Sequence, residues 1–276
     1  MVSTRYATRL IVLGASNVRR SLFSILEVAR AHFRGPIDFL IVAGHGRSYG
    51  VPNRVLGWSL PGISESDWSR HWHRADTAAR FAIITDVGND LLFGNDSKHL
   101  CHWVRTCIEE VSSADRVLLT GLPIERSKRV GAIQFSIFRK IFFPRSRASL
   151  EEILEGANYV DTYLRELAQQ RACAWFEPSS QWYGYDPIHV KRRYLSILWK
   201  EMMNRLIQSS SESLKEASIG PPTKLQLGDV PRCELRWRER FRLVFSRANR
   251  QSWFGATQDC AQPFLDLQDG SSVSFY

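Results

Sequence analysis

Long apolar runs are missing from this chain. No stretch approaches the ~18 consecutive apolar residues that a membrane-spanning helix needs. The apolar run near the start, Leu10 to Leu13, ends in a turn signal rather than a cleavage site and is too short for the core of a secretory leader. Cysteine is scarce and lacks metal spacing. Cys101, Cys107, Cys173, Cys233 and Cys260 are odd in number and include no CxxC pair. That excludes a disulfide framework and argues against zinc, leaving free thiols in a reducing compartment. A soluble, cytoplasmic protein is the expectation. Acidic residues are the minority charge, 28 against 37 Lys and Arg, for a net charge of +9. No internal repeat is present. With 44% hydrophobic and 24% charged residues, the 276-residue chain is neither disordered nor of low complexity, and its length suits one large domain.

What is present is an alternation. Short, nearly continuous apolar runs occur at 9–15, 37–44, 81–88, 116–123 and 172–179, the pattern of strands covered on both faces. Helical periodicity separates them. Val18, Leu22, Ile25, Ala29 and Phe33 follow the first run; Val160, Tyr163, Leu164 and Leu167 precede the fifth; Val190, Tyr194, Ile197, Leu198, Met202 and Leu206 follow it. Five strands alternating with helices predict a parallel sheet between helix layers, with sites in the loops at the carboxyl ends of the strands. This domain is expected over residues 1–207. Residues 208–224, rich in Ser and containing Pro-Pro, read as a linker. Beyond them Leu235, Trp237, Phe241, Leu243 and Phe245 alternate with Arg236, Arg238, Arg240 and Arg242, which predicts a strand and makes 225–276 a small β-rich C-terminal appendage, packed on the main domain or on a second chain. Residues 211–276 hold 9 basic and 8 acidic residues, so the positive excess belongs to the main domain.

Chemistry-bearing residues gather at the predicted strand ends. Gly14-Ala15-Ser16-Asn17 closes the first strand and runs into a helix. A serine there suits a nucleophile whose attack creates an oxyanion, and equally suits a helix N-cap. The second strand feeds Gly44-His45-Gly46-Arg47-Ser48-Tyr49-Gly50, a loop whose backbone can approach a ligand closely. It has neither a Walker lysine nor GxGxxG spacing, so it is not a nucleotide-phosphate loop. The third strand ends in Asp86-Val87-Gly88-Asn89-Asp90, where an Asn amide can donate to developing negative charge, or simply belong to a turn. After the fifth comes Tyr185-Asp186-Pro187-Ile188-His189, opening the last helix. Its three-residue offset lets the carboxylate meet the imidazole and leaves the far nitrogen for a serine, or else makes Asp186 an N-cap.

Taken together and in this order, GASN, GHGRSYG, VGND and DPIH resemble the four blocks of the SGNH (GDSL-type) hydrolases over roughly residues 8–207. The resemblance implies a three-layer α/β/α, flavodoxin-like fold with a five-stranded parallel sheet. It implies a serine esterase in which Ser16 is the nucleophile, His189 the general base and acid, and Asp186 the group that orients the imidazole. The oxyanion hole would be the Ser16 and Gly46 N–H groups and the Asn89 side chain. Two departures stand out: Ala15 replaces the family's usual Asp before the serine, and Gly44 competes with Gly46 for the second block. Neither a cofactor nor a metal is implied. An acyltransferase using the same site, and a catalytically silent binding protein on this fold, are the alternatives.

Other features carry plainer readings. His71 and His73 lack a third ligand nearby, and Trp58, Trp68 and Trp72 are expected to pack under a long loop. Residues 126–147 hold seven basic residues and no acidic one, among them Arg139, Lys140, Arg145 and Arg147. They read as a helix with a solvated basic face, or as a rim beside the site that touches an anionic or lipid-like ester substrate or a membrane surface. No nucleic-acid motif accompanies the charge, so nucleic-acid binding is not expected.

Overall fold

In this computed structural model, residues 5–55, 58–143, 146–208, 235–253 and 256–276 are described. Of the expected linker 208–224 only Gln208 is described, as the last residue of a helix, and Cys233 and Arg145 lie outside the described residues. The strands are β1 (Tyr6–Leu13), β2 (Ile37–Val42), β3 (Asn53–Val55), β4 (Trp58–Leu60), β5 (Thr77–Ile84), β6 (Arg116–Thr120), β7 (Ala174–Phe176), β8 (Arg250–Trp253), β9 (Ala256–Asp259), β10 (Leu265–Asp266) and β11 (Ser272–Phe275). The helices are α1 (Ser16–Arg20), α2 (Leu22–His32), α3 (Trp68–Trp72), α4 (Asn89–Leu92), α5 (Ser97–Glu110), α6 (Ile124–Ser127), α7 (Ala132–Phe142), α8 (Leu150–Gln170), α9 (Leu195–Gln208) and α10 (Trp237–Val244).

The apolar runs form strands buried on both faces because each residue parity meets a different helix layer. Leu10, Val12, Phe39, Ile41, Phe81 and Ile83 pack with α2 and α9. Their neighbours Ile11, Leu13, Leu40, Val42, Ala82 and Ile84 pack with α5 and α8. The main sheet has the order β10-β11-β2-β1-β5-β6-β7. All five expected strands are there and parallel, and the count rises to seven because the tail adds β11, parallel to β2, and β10, antiparallel to β11. Register positions the site. Leu13 lies opposite Val42 on one side and Ile84 on the other, so the segments after β1, β2 and β5 leave the sheet side by side.

The tail departs from the sequence reading. Residues 237–244 are a helix, not a strand. Trp237, Phe241 and Phe245 are spaced by four as well as falling on one strand parity, so the same residues fit a helical stripe. The Phe241 and Phe245 rings meet at 5.0 Å, Glu239 accepts the Arg236 N–H at 2.7 Å, and only Leu243 of the helix is buried. The tail packs on the main domain. Hairpin β8–β9 pairs with β4 in a four-stranded antiparallel sheet, while Leu265, Val273 and Phe275 join the core beside β2.

A buried polar network anchors it. Asp38, fully buried at the start of β2, accepts from Arg9 at 2.8 Å, from Ser272 at 2.9 Å and from His71 at 3.0 Å, while the other nitrogen of His71 meets the Tyr276 hydroxyl at 2.6 Å. His73 instead faces Glu110, so the two histidines serve different neighbours. Trp68 and Trp72 are core residues. Burial by itself would raise the Asp38 pKa, but the His71 and Arg9 contacts hold it below the ordinary 3.8.

Because the folded value is depressed, the stability from Asp38 is present above about pH 4 and is lost as pH falls through the folded value. An acid titration of unfolding should therefore show a falling limb below pH 4 that flattens in Asp38→Asn. Leu265→Ala should cost about 2–5 kcal/mol in denaturant unfolding, whereas a detachable tail would leave the main transition unchanged.

Candidate active site

The first strand turns sharply at Gly14, where a Cβ would meet Val18 Cγ2 at 2.5 Å. The chain enters α1 with Ser16 as its first helical residue. Ala15 holds the cap position and no side chain caps the helix, so Ser16 is not an N-cap. It is 4% exposed. The orphan N–H groups of this turn are taken from across the sheet. Asp86, at the end of β5 in the left-handed region (φ 58°), accepts from the N–H of Ala15 at 3.1 Å, Asn17 at 2.9 Å and Val18 at 3.3 Å. The Ser16 N–H is the one in that run that Asp86 does not take. Ala15 had left open what holds this turn in place of a carboxylate beside the serine. The supplier is Asp86, some seventy residues on.

Asn17 extends the arrangement. Its Nδ2 donates to Asp86 Oδ1 at 2.9 Å and to the Ile188 carbonyl at 2.9 Å, while its Oδ1 accepts the Val190 N–H at 3.0 Å. The residue after Ser16 thus grips the backbone on both sides of His189. Asp186 Oδ1 accepts the N–H groups of Ile188 at 3.0 Å and His189 at 3.2 Å, and its Oδ2 pairs with His189 Nδ1. Burial pushes the Asp186 pKa upward most, yet the His189 hydrogen bond and charge, with the two N–H donors, together bring it below the usual carboxylate value. This loop does not open the last helix. A Tyr183–Val190 bridge and the Lys191 N–H to Trp182 bond close it into a pinched excursion, and α9 starts only at Leu195. Asp186 therefore caps a turn rather than a helix, and Val190 and Tyr194 fall before α9.

The glycine loop is fixed from two sides. Gly46 takes φ 62°, and the Arg47 N–H reaches back to the Gly44 carbonyl at 3.3 Å. Arg47, 1% exposed, donates to the carbonyls of Pro61 (3.1 Å) and Tyr276 and to Ser66 Oγ at 3.2 Å. On the other side Asp90 accepts the Ser48 hydroxyl and the Tyr49 N–H at 3.0 Å, and burial raises its pKa. The Tyr49 hydroxyl reaches the Leu13 and Thr85 carbonyls at 3.2 and 2.6 Å, joining the ends of β1 and β5. Asn89 begins α4, 6% exposed, and its Nδ2 is a buried donor with no partner among the described residues. The His45 pKa is lowered by desolvation and then by the charges of Arg19, His189 and Arg20, which marks these groups as neighbours.

A cavity of about 100 Å³ lies beside Asn89. Asn17, Asp86 and Asn89 line it, and Leu122, Val130 and Phe135 add apolar wall. The basic segment 126–147 borders the site through α6 and α7. Arg126 donates to the Gly184 carbonyl at 2.8 Å and Gln134 to that of Tyr185, strapping these helices to the loop that carries Asp186. Its apolar side chains, not its charges, reach the cavity. Arg139 donates to the Ala148 carbonyl at 3.0 Å, and Lys128 pairs with Glu125.

With this geometry, comparison with solved structures is informative. A carbohydrate acetylesterase from Sinorhizobium meliloti, Est24, superposes with a TM-score of 0.50 at 11% identity, covering 72% of this chain and 98% of that one. A second solved structure gives 0.51 at 14% identity over 74% and 100%. The chain has the fold of the SGNH hydrolases. An aryl esterase from M. Smegmatis, 14% identical, gives 0.49 over 72% and 100%. No protein-family model and no curated relative matches the sequence. Within the SGNH fold, Asp86, Asn17, Arg47 and Asp90 are the site residues that sequence reasoning passed over. Each stands inside or next to a recognised block, and that adjacency was the only available signal. Among the described residues no helix is long and apolar enough to cross a membrane.

Asp86→Ala strands three backbone N–H groups and frees Asn17. It should cost about 2–3 kcal/mol in urea unfolding, while a substitution at Glu125, an exposed partner of Lys128, should change stability by less than about 1 kcal/mol.

Proposed function

We propose that the protein is a serine esterase that hydrolyses a carboxylic ester through Ser16, His189 and Asp186. The observation that carries this reading is the double grip of Asn17 on the residues flanking His189, which couples the serine turn to a histidine whose Nδ1 is held by a carboxylate. His189 Nε2, on the far side of the ring, takes the Ser16 proton as Oγ attacks the ester carbonyl. His189 then protonates the leaving alcohol, and afterwards activates water to release the acid and regenerate Ser16.

The tetrahedral oxyanion is stabilised by the Ser16 N–H, spared by Asp86, by the Gly46 N–H and by the unpartnered Asn89 Nδ2. Gly46 is preferred to Gly44 because it is partly exposed at the apex of its turn, whereas Gly44 is buried. The acyl group enters the cavity beside Asn89. At about 100 Å³ that space is smaller than the ~150 Å³ cavity that accommodates benzene, so it fits short acyl chains. The acetylesterase description of the Sinorhizobium structure agrees with such a substrate.

Ser16→Ala should abolish hydrolysis of 4-nitrophenyl acetate and labelling by a fluorophosphonate. Unchanged turnover would sink the assignment, and a folded wild-type protein that neither turns over nor labels would favour a silent binding protein. Asn89→Ala should lower kcat on the order of 100-fold. Across a series of 4-nitrophenyl esters, kcat/KM should be highest at two to four carbons, and Phe135→Ala should shift the optimum to longer chains.

A further inference from the structure

A second, larger cleft of about 360 Å³ opens between Gly44 and His45 of the glycine loop and the tail. Its charged lining is of one sign: Arg19, Arg47 and Arg247 contribute, and among the described residues no acidic side chain does. Arg19, three residues after Ser16, is pinned by Ser246 Oγ and by the carbonyls of Val244 and Ser246 at 3.1 and 3.3 Å. Of its five N–H donors these use three, and among the described residues no carboxylate contacts it. Arg47 is likewise held by carbonyls and a hydroxyl alone. Burial lowers the pKa of both, for Arg47 to about 9, which is the mark of cations lacking a counter-charge. Independently, Gln251 lines the cleft nine-tenths buried, and its Nε2 is a donor without a partner among the described residues. Leaving such a group unmet is costly, and a ligand acceptor would meet it. Phe245, Phe275 and Leu60 supply apolar surface beside these donors.

We propose that this cleft binds an oxyanion, a carboxylate or phosphate, attached to the alcohol part of the substrate, with Gln251 Nε2 and the free N–H groups of Arg19 and Arg247 as its donors. Assignment to the alcohol part rests on the esterase reading: with the acyl group in the cavity beside Asn89, the cleft at Gly44 and His45 is left for the alcohol. The anion site itself does not depend on turnover.

Calorimetric titration with benzoate, phenyl phosphate and the neutral benzyl alcohol tests it, using wild type, Arg247→Ala and Gln251→Leu. At least one anion should bind about 10-fold tighter than benzyl alcohol, a difference of ~1.4 kcal/mol. Which anion does so separates carboxylate from phosphate. Each variant should erase most of that preference while keeping the circular dichroism spectrum and melting transition of wild type. Equal binding of charged and neutral probes by wild type overturns the proposal whether or not the variants fold, as does an undiminished preference in both folded variants. Selective anion binding by a protein that hydrolyses no ester would keep the site and remove the esterase reading. Ester hydrolysis without anion selectivity would do the reverse.

Discussion

A single asparagine side chain holds the candidate site together. Asn17 is bonded to Asp86 behind it and to Ile188 and Val190 in front, contacts that span 69, 171 and 173 residues of chain. Ser16 and His189 sit on separate segments, the one in the turn after β1 and the other in the loop between β7 and α9. The proton transfer proposed between them demands that they be held to within a fraction of an ångström, and independent loops do not achieve that. The Asp86 carboxylate makes the grip strong, because hydrogen bonds to a charged acceptor are worth roughly twice those between neutral groups. The same carboxylate also sorts the donors of the serine turn, taking three N–H groups and sparing the one next to the hydroxyl.

The tail does for the glycine loop what Asp86 does for the serine turn. By running parallel to β2, β11 ends where Tyr276 can accept from Arg47, so the loop bearing Gly46 is braced by the last strand of the fold. Residues 244–248 also pin Arg19 and wall the larger cleft. A segment that looked like an attachment is thus bound into the core through Asp38, His71 and Ser272, and it shapes the space available to a ligand.

Legibility followed the range of the interactions concerned. The five core strands could be read because burial on both faces writes a continuous apolar run into each one. The four blocks could be read because each is a local string at a strand end. Helix α10 was misread because residues 237, 241 and 245 satisfy both a period of two and a period of four, and a half-exposed element offers no burial pattern to choose between them. The start of α9 was misplaced because Asp186 spends its cap on a turn, which in sequence looks the same as a helix N-cap. Asp86 and Arg47 were passed over because their partners lie across the sheet.

The amino-acid sequence by itself determined the alternation of strands and helices, and put Ser16, Gly46, Asn89 and the Asp186–His189 pair each at the end of a strand or in the turn that follows one. Only the tertiary structure decided which N–H groups remain free, which cations lack a counter-charge, and where the tail packs. The physical reason is reach. Periodicity and turn chemistry are settled among residues a few positions apart, whereas those three properties depend on strand register, which brings together residues from about 70 to 230 positions apart.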